Sequence, residues 1–142
     1  MSLWLELEQA GLGDNRPLAA VLEAIPWNAD GLIAAIAQQH DSGEVLMLAW
    51  MNRTALEETL TSGQVCYWSR SRQQLWRKGE TSGHRQRLIE ARLDCDGDAV
   101  LLLIEQQGPA CHTGRPNCFY NAIRDKRVSV ISVPLSTSAA QS

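Results

Sequence analysis

The chain has 142 residues, a formal net charge of −3, and 44% hydrophobic and 20% charged residues. This fits one globular domain with a buried core and argues against a disordered chain or a nucleic-acid partner. Apolar runs such as Ala99 to Ile104 fall well short of the ~20 residues of a membrane span.

The start, MSLWLELEQAG, carries acids and no basic stretch, so it does not read as a secretory signal and implies a cytoplasmic protein. Residues 1–29 read as a peripheral segment. LWLELEQAG makes one or two helical turns, and Pro17 and Pro26 bracket a second helix. The main domain spans 30–133. Two apolar runs flank Asp41-Ser42-Gly43 and predict a β-hairpin. A helix follows, with a Thr54 to Glu57 capping box, Asn52 as the rival cap, and Gly63 as its stop. A strand is expected from Val65 to Trp68, leading into a basic loop. HRQRLIEARLD then alternates Ile89, Ala91 and Leu93 against Leu88, Glu90 and Arg92, as a strand would. AVLLLIEQQ predicts a buried strand and GPACHTGRPNCF a loop. RVSVISV reads as a last strand, and 134–142 as a disordered tail. The plan is α+β and strand-rich.

The four cysteines of a cytoplasmic chain are metal-binding, catalytic or buried rather than disulfide-bonded. Cys95, Cys111 and Cys118 have fifteen and six residues between them. Three thiolates and an open position suit a catalytic zinc. The competing reading is that they are small buried hydrophobes. Cys111 and Cys118 lie in a polar Gly/Pro loop, which favours ligation, whereas Cys66 sits in apolar VCYW and reads as buried. Around Cys95, the carboxylates of Asp94, Asp96 and Asp98 suit a hard cation such as magnesium. On a strand they would share one face, with Cys95 on the other. A solvated acidic turn is the alternative. An EF-hand is excluded because Ala99 stands where that loop requires glycine.

Arg70, Arg72, Arg77, Lys78, Arg85 and Arg87 crowd the basic segment, interleaved with Ser69, Ser71, Thr81, Ser82, Gly79 and Gly83. Guanidinium and hydroxyl groups beside flexible backbone suit phosphate. Trp68 and Trp76 are candidates to stack on a base. A solvated basic face is the plainer reading, and net negative charge opposes a single-stranded nucleic acid. His112, next to Cys111, is a candidate proton carrier.

VCYWSRSRQQLWRKGETSGH, LDCDGDAVLLLIEQQGPACHTGRPNCF and GEVLMLAWMNRTALEETLTSG closely resemble the phosphoribosyl-AMP cyclohydrolase family of histidine biosynthesis, over roughly residues 30 to 125. The resemblance implies hydrolytic opening of the adenine ring of phosphoribosyl-AMP at N1–C6, by zinc-activated water with magnesium assisting. It implies Cys95, Cys111 and Cys118 as zinc ligands, and Asp94, Asp96 and Asp98 as magnesium ligands. His112 becomes the catalytic candidate. Trp68, Arg70, Arg72, Arg77, Lys78, Thr81, Ser82 and His84 become the substrate-binding set. The implied fold is a pseudobarrel-like sheet capped by a helix, in an intertwined homodimer whose zinc site takes Cys95 from one chain and Cys111 and Cys118 from the other. The alternatives are a zinc aminohydrolase of another purine nucleotide and a non-catalytic zinc-binding module, for which Cys66 would be the fourth thiol.

Overall fold

The computed structural model describes residues 2–135. Two short helices, α1 (Leu3–Glu8) and α2 (Leu18–Ala24), precede a hairpin of β1 (Ile33–Gln39) and β2 (Val45–Met51). Helix α3 (Arg53–Ser62) follows, then β3 (Cys66–Ser69), β4 (Gln74–Arg77), β5 (Gln86–Leu93), β6 (Ala99–Gln106), β7 (Asn121–Arg124) and β8 (Arg127–Val130). The fold is α+β and strand-rich. Among the described residues no sheet closes into a barrel: one sheet runs β2-β1-β6-β5, and β3-β4 and β7-β8 form separate two-stranded ribbons.

The central sheet is mixed. β1 pairs antiparallel with β2 and parallel with β6, from Ala34 opposite Ala99 to Gln39 opposite Ile104. One face of each central strand supplies the core. Ile33, Ala35 and Ala37 alternate inward on β1, and Val100, Leu102 and Ile104 on β6. Fully burying a Val, Leu or Ile side chain stabilises by ~1.5–3 kcal/mol. Helix α3 lies against β2 and β3, with Ala55, Leu56 and Thr59 buried. Residues 1–29, expected to be peripheral, contribute Leu22 and Ile25 to the same core, and the Trp4 indole N–H donates to the Ala24 carbonyl at 2.8 Å.

Three local expectations change. The helix cap is Asn52, whose Oδ1 accepts from Ala55 N–H at 2.8 Å. The helix begins at Arg53, so Ala55 takes the third helical position. Glu57 therefore cannot close a box and pairs with Arg53 at 2.9 Å. Gly63 ends the helix as expected, at φ 76°. Second, β5 carries a bulge between Leu88 and Glu90. The extra residue shifts the alternation, so Leu88 packs on the core with Ala91 and Leu93 while Ile89 faces out. Third, the basic segment is not a plain loop. It turns through Gln73 at φ 52° and returns as β4, pairing Tyr67 with Trp76, ring centroids 5.5 Å apart.

At the C-terminal end, Asp125 and Lys126 both have positive φ, 49° and 63°, and make the tight β7–β8 turn. Every residue of β8 is exposed. Pro134 and Leu135 fold back on the preceding loop, with Leu135 N–H donating to the Gly114 carbonyl at 2.8 Å. Of the tail 134–142, the rest lies outside the described residues. No described helix is long and apolar enough to cross a membrane.

Candidate active site

Two loops face each other beside the β3–β4 ribbon. The first, residues 78–85, leaves β4 and closes on itself. Gly83 N–H donates to Gly79 O at 2.8 Å, and Arg85 N–H to Gly83 O at 3.0 Å. A Cβ on Gly79, whose φ is +81°, would lie 2.5 Å from the Arg85 backbone nitrogen, so only glycine fits that corner. The turn presents Ser82, whose hydroxyl accepts from His84 N–H. The His84 imidazole lies over the bare Cα of Gly108, where a Cβ would come within 2.7 Å of its ring.

The second loop, residues 107–120, carries Cys111, His112 and Cys118. Gly114 N–H donates to Cys111 O, and Cys118 N–H reaches across to Leu46 O on β2 at 2.8 Å. Lys78 ties the two loops together, its ammonium donating to Ala110 O at 2.7 Å and lying 5.3 Å from the Trp76 ring. Between the loops lies an open cleft of about 610 Å³, bordered by Arg72, Trp76, Lys78, Ser82 and His84 on one side and by Cys111, His112 and Thr113 on the other.

The thiols of Cys111 and Cys118 lie within hydrogen-bonding reach of each other. Burial acts to raise the Cys111 pKa. Hydrogen bonds from the Thr113 hydroxyl, 3.1 Å from Sγ, from the Thr113 backbone and from Cys118, together with the Arg115 charge, outweigh it and bring the pKa below the usual thiol value. Loss of hydration, and then the neighbouring Cys111 charge, push Cys118 up to about 11. Cys111 is thus the member disposed to ionise first. Burial lowers the Lys78 pKa against the opposing pull of both thiols.

Asp94, Asp96 and Asp98 converge on the β5–β6 turn, with ligand oxygens within 4.8 Å of one another, all three residues exposed. The expected strand alternation is not what gathers them. Residues 94–98 form a turn, and Asp94 Oδ1 folds inward to accept from Asp98 N–H at 3.0 Å and Ala99 N–H at 3.3 Å. Hydrogen bonds with the Asp96 and Asp94 carboxylates raise the Asp98 pKa to about 6, while the same cluster and the backbone N–H groups, against some burial, leave Asp94 lowered. One proton therefore stays on Asp98 at mildly acid pH when no cation is bound.

The remaining expected residues divide. Cys95 is exposed on the acidic turn, and among the described residues the three aspartates are the only convergent metal-binding trio within one chain. Arg72, Lys78, Ser82 and His84 share the cleft with Cys111 and His112. Trp68 and Arg70 line a different, smaller cavity beside Asp30 and Asn52, with the Arg70 guanidinium 4.9 Å from the Trp50 ring. Arg77 pairs with Glu58 at 2.8 Å, and Arg87 with Glu105 at 2.6 Å. Thr81 is exposed and does not border the cleft. Cys66 is fully buried, its pKa pushed to about 12 by burial and by Glu58, so it supplies no fourth ligand. Thr113, which polarises Cys111, and Trp76 as a wall of the cleft emerge only once the strands are paired.

An open cleft that sets cations and hydroxyls across from the Cys111 thiol and His112 suits a small anionic molecule. A family model described as phosphoribosyl-AMP cyclohydrolase matches residues 47–120. The chain is 81% identical over 134 residues to "Phosphoribosyl-AMP cyclohydrolase 2" of Pseudomonas fluorescens, covering 94% of this chain and 91% of that protein. It is 64% identical over 132 residues to the phosphoribosyl-AMP cyclohydrolase of Alkalilimnicola ehrlichii, with 93% of each covered. With that of Halorhodospira halophila it shares 65% over 127 residues and 89% of each. The chain belongs to the phosphoribosyl-AMP cyclohydrolase family, a family of hydrolases.

Proposed function

We propose that this chain hydrolyses phosphoribosyl-AMP, adding water at C6 of the N1-substituted adenine and breaking the N1–C6 bond, as a step of histidine biosynthesis. The carrying observation is the single cleft that joins Arg72, Lys78, Ser82 and His84 to Cys111 and His112. Two phosphate groups need the first set, and a polarised purine needs the second.

The donor set fits zinc. Cys111 and Cys118 are soft ligands in reach of each other, and the Cys111 thiol is already disposed to ionise. A third ligand, Cys95, comes from a second copy of the chain. Two observations support that homodimer. One chain does not gather three thiols among the described residues. The C-terminal ribbon also leaves Ile123 81% exposed, Val128 64% and Val130 61%, an apolar surface of the kind that marks an interface. In the dimer the partner's strands complete the pseudobarrel that one chain leaves open.

When bound, zinc acidifies water to near neutrality and makes it a nucleophile. The residues of the chain do the rest. Arg72 and Lys78 hold phosphate charge, Ser82 donates to a phosphate oxygen, and Trp76 gives the base a flat wall. His112, exposed at the cleft, takes the proton from the attacking water and returns it to N1 as that nitrogen leaves. The ring opens and the exocyclic amine stays in place. Asp94, Asp96 and Asp98 would hold magnesium, a hard cation that suits their oxygens and would offset their mutual repulsion.

Incubation with phosphoribosyl-AMP tests the reading. Ring opening changes the ultraviolet spectrum without release of ammonia and stops when zinc is stripped. Ammonia release would establish an aminohydrolase instead. The acidic turn makes a separate prediction. The Asp98 pKa is raised on folding, so the metal-free fold loses stability as pH climbs from the ordinary carboxylate range through about 6. The lowered Asp94 acts in the opposite direction, and its contribution is lost only as pH falls through its own folded value. Magnesium therefore raises the melting temperature more at about pH 7.5 than at about pH 5, where protons compete for the same oxygens. Thermal melts with and without the ion measure this.

A further inference from the structure

The acidic turn has an outer support from the N-terminal segment. Gly97 is buried although Asp94, Cys95, Asp96 and Asp98 around it are all exposed. What covers it is the Trp4 indole. A Cβ on Gly97 would lie 2.2 Å from Trp4 Cζ2, 2.5 Å from Cε2 and 2.6 Å from Cη2, so the six-membered ring rests directly on the glycine backbone. The indole is fixed by its N–H···O bond to the Ala24 carbonyl at 2.8 Å. Ala24 in turn lies between Leu22 and Ile25, both part of the core. A continuous packed line runs from the core through α2 to Trp4 and on to the turn.

The turn needs such a support. Three carboxylates within 4.8 Å repel one another. From inside, the backbone is closed by Gly97 N–H on Asp94 O at 3.1 Å and by the two bonds to Asp94 Oδ1. The Asp94 oxygen that makes these bonds is also a candidate ligand, so ligation and loop closure draw on the same side chain. Contact from outside keeps the oxygens together without using any of them.

We propose that Trp4 is a positioning residue for the Asp94–Asp98 turn, preorganising its oxygens for a divalent cation from a segment that contributes no ligand. The cation part rests on the magnesium reading above, and the positioning part is readable without metal. In metal-free protein, Trp4→Ala should speed amide exchange at Gly97, Asp98 and Ala99 by about tenfold or more, as local opening becomes easier. Leu102 and Ile104, deep in the sheet, should keep their rates. Calorimetric titration with magnesium alone should show affinity weakened by roughly 10–100-fold, the range seen when groups behind metal ligands are removed. Trp4→Phe, which keeps a ring over Gly97, should recover most of both.

Should Trp4→Ala fail to fold, Trp4→Leu tests the same contact, since it keeps apolar bulk at the position but takes the six-membered ring off Gly97. It should speed the same three amides, and Trp4→Phe should leave them near wild type. Wild-type exchange at these amides in folded Trp4→Ala, or in Trp4→Leu, overturns the proposal. Faster exchange in a protein whose wild type binds no magnesium upholds the positioning role and removes the magnesium reading instead.

Discussion

On the proposed shared zinc site, equimolar mixing of Cys95→Ser and Cys111→Ser subunits, each expected to be inactive alone, should restore about a quarter of wild-type turnover once subunits have exchanged. Random pairing makes half of the dimers mixed. In each mixed dimer one site takes both damaged contributions, while the other takes an intact Cys95 and an intact Cys111–Cys118 pair. The expectation follows from the placement of the thiols: Cys111 and Cys118 lie within hydrogen-bonding reach of each other, and Cys95 lies on the acidic turn outside that group. Turnover and zinc content of the mixture, with exchange followed by mass spectrometry of differently tagged chains, measure it. Complete exchange without recovery would mean that each site is built within one chain. Cys111→Ser alone should lose zinc and turnover while staying folded, since the smaller hydroxyl fits the space of the buried thiol.

Replacing His112 by alanine lowers kcat by roughly 10²–10⁴-fold, the usual worth of a positioned general acid–base. Zinc and magnesium contents should stay at wild-type levels, because the imidazole does not join the convergent trio, and exogenous imidazole should recover part of the rate. Single-turnover kinetics with metal analysis on the same samples separate the two effects. Full turnover in His112→Ala would transfer the proton steps to another group at the cleft, of which His84 is the next candidate.

Chemistry that depends on residue type was legible before any fold was known. The carboxylates of Asp94, Asp96 and Asp98 do converge, and Lys78, His84, Cys111 and His112 do share one cleft. The route to that convergence was not legible. Strand alternation would have gathered the aspartates, yet a tight turn does so, because Gly97 at φ 75° lets the chain reverse within a few residues. The basic segment misled for a related reason. Leu75 and Trp76 make too short an apolar signal between charged neighbours to announce β4, and without β4 the outward arginines cannot be told from those at the cleft. Arg70 and Arg77 are spent on Trp50 and Glu58, partners that only the folded chain brings near. The bulge in β5 is likewise invisible to a period of two, since one inserted residue leaves the composition of the strand unchanged. Burial of Leu22 and Ile25 escaped because the helix that carries them is too short to show a face.

The parallel pairing of β1 with β6 has a consequence for the chain as it is being made. Residues 33–39 find that partner only when residues 99–104 have been synthesised. Until then the ribosome holds a hairpin whose inner strand shows an open row of amides and carbonyls along Ala34, Ile36 and Gln38, the residues that alternate toward the β6 side as His40 does when it donates to Ile104 O, a template for pairing with any other extended chain. Closing so long a loop is also slow by comparison with the neighbouring hairpins. Nascent copies stalled between these two points should be the species that chaperones hold and that aggregate when chaperones are scarce.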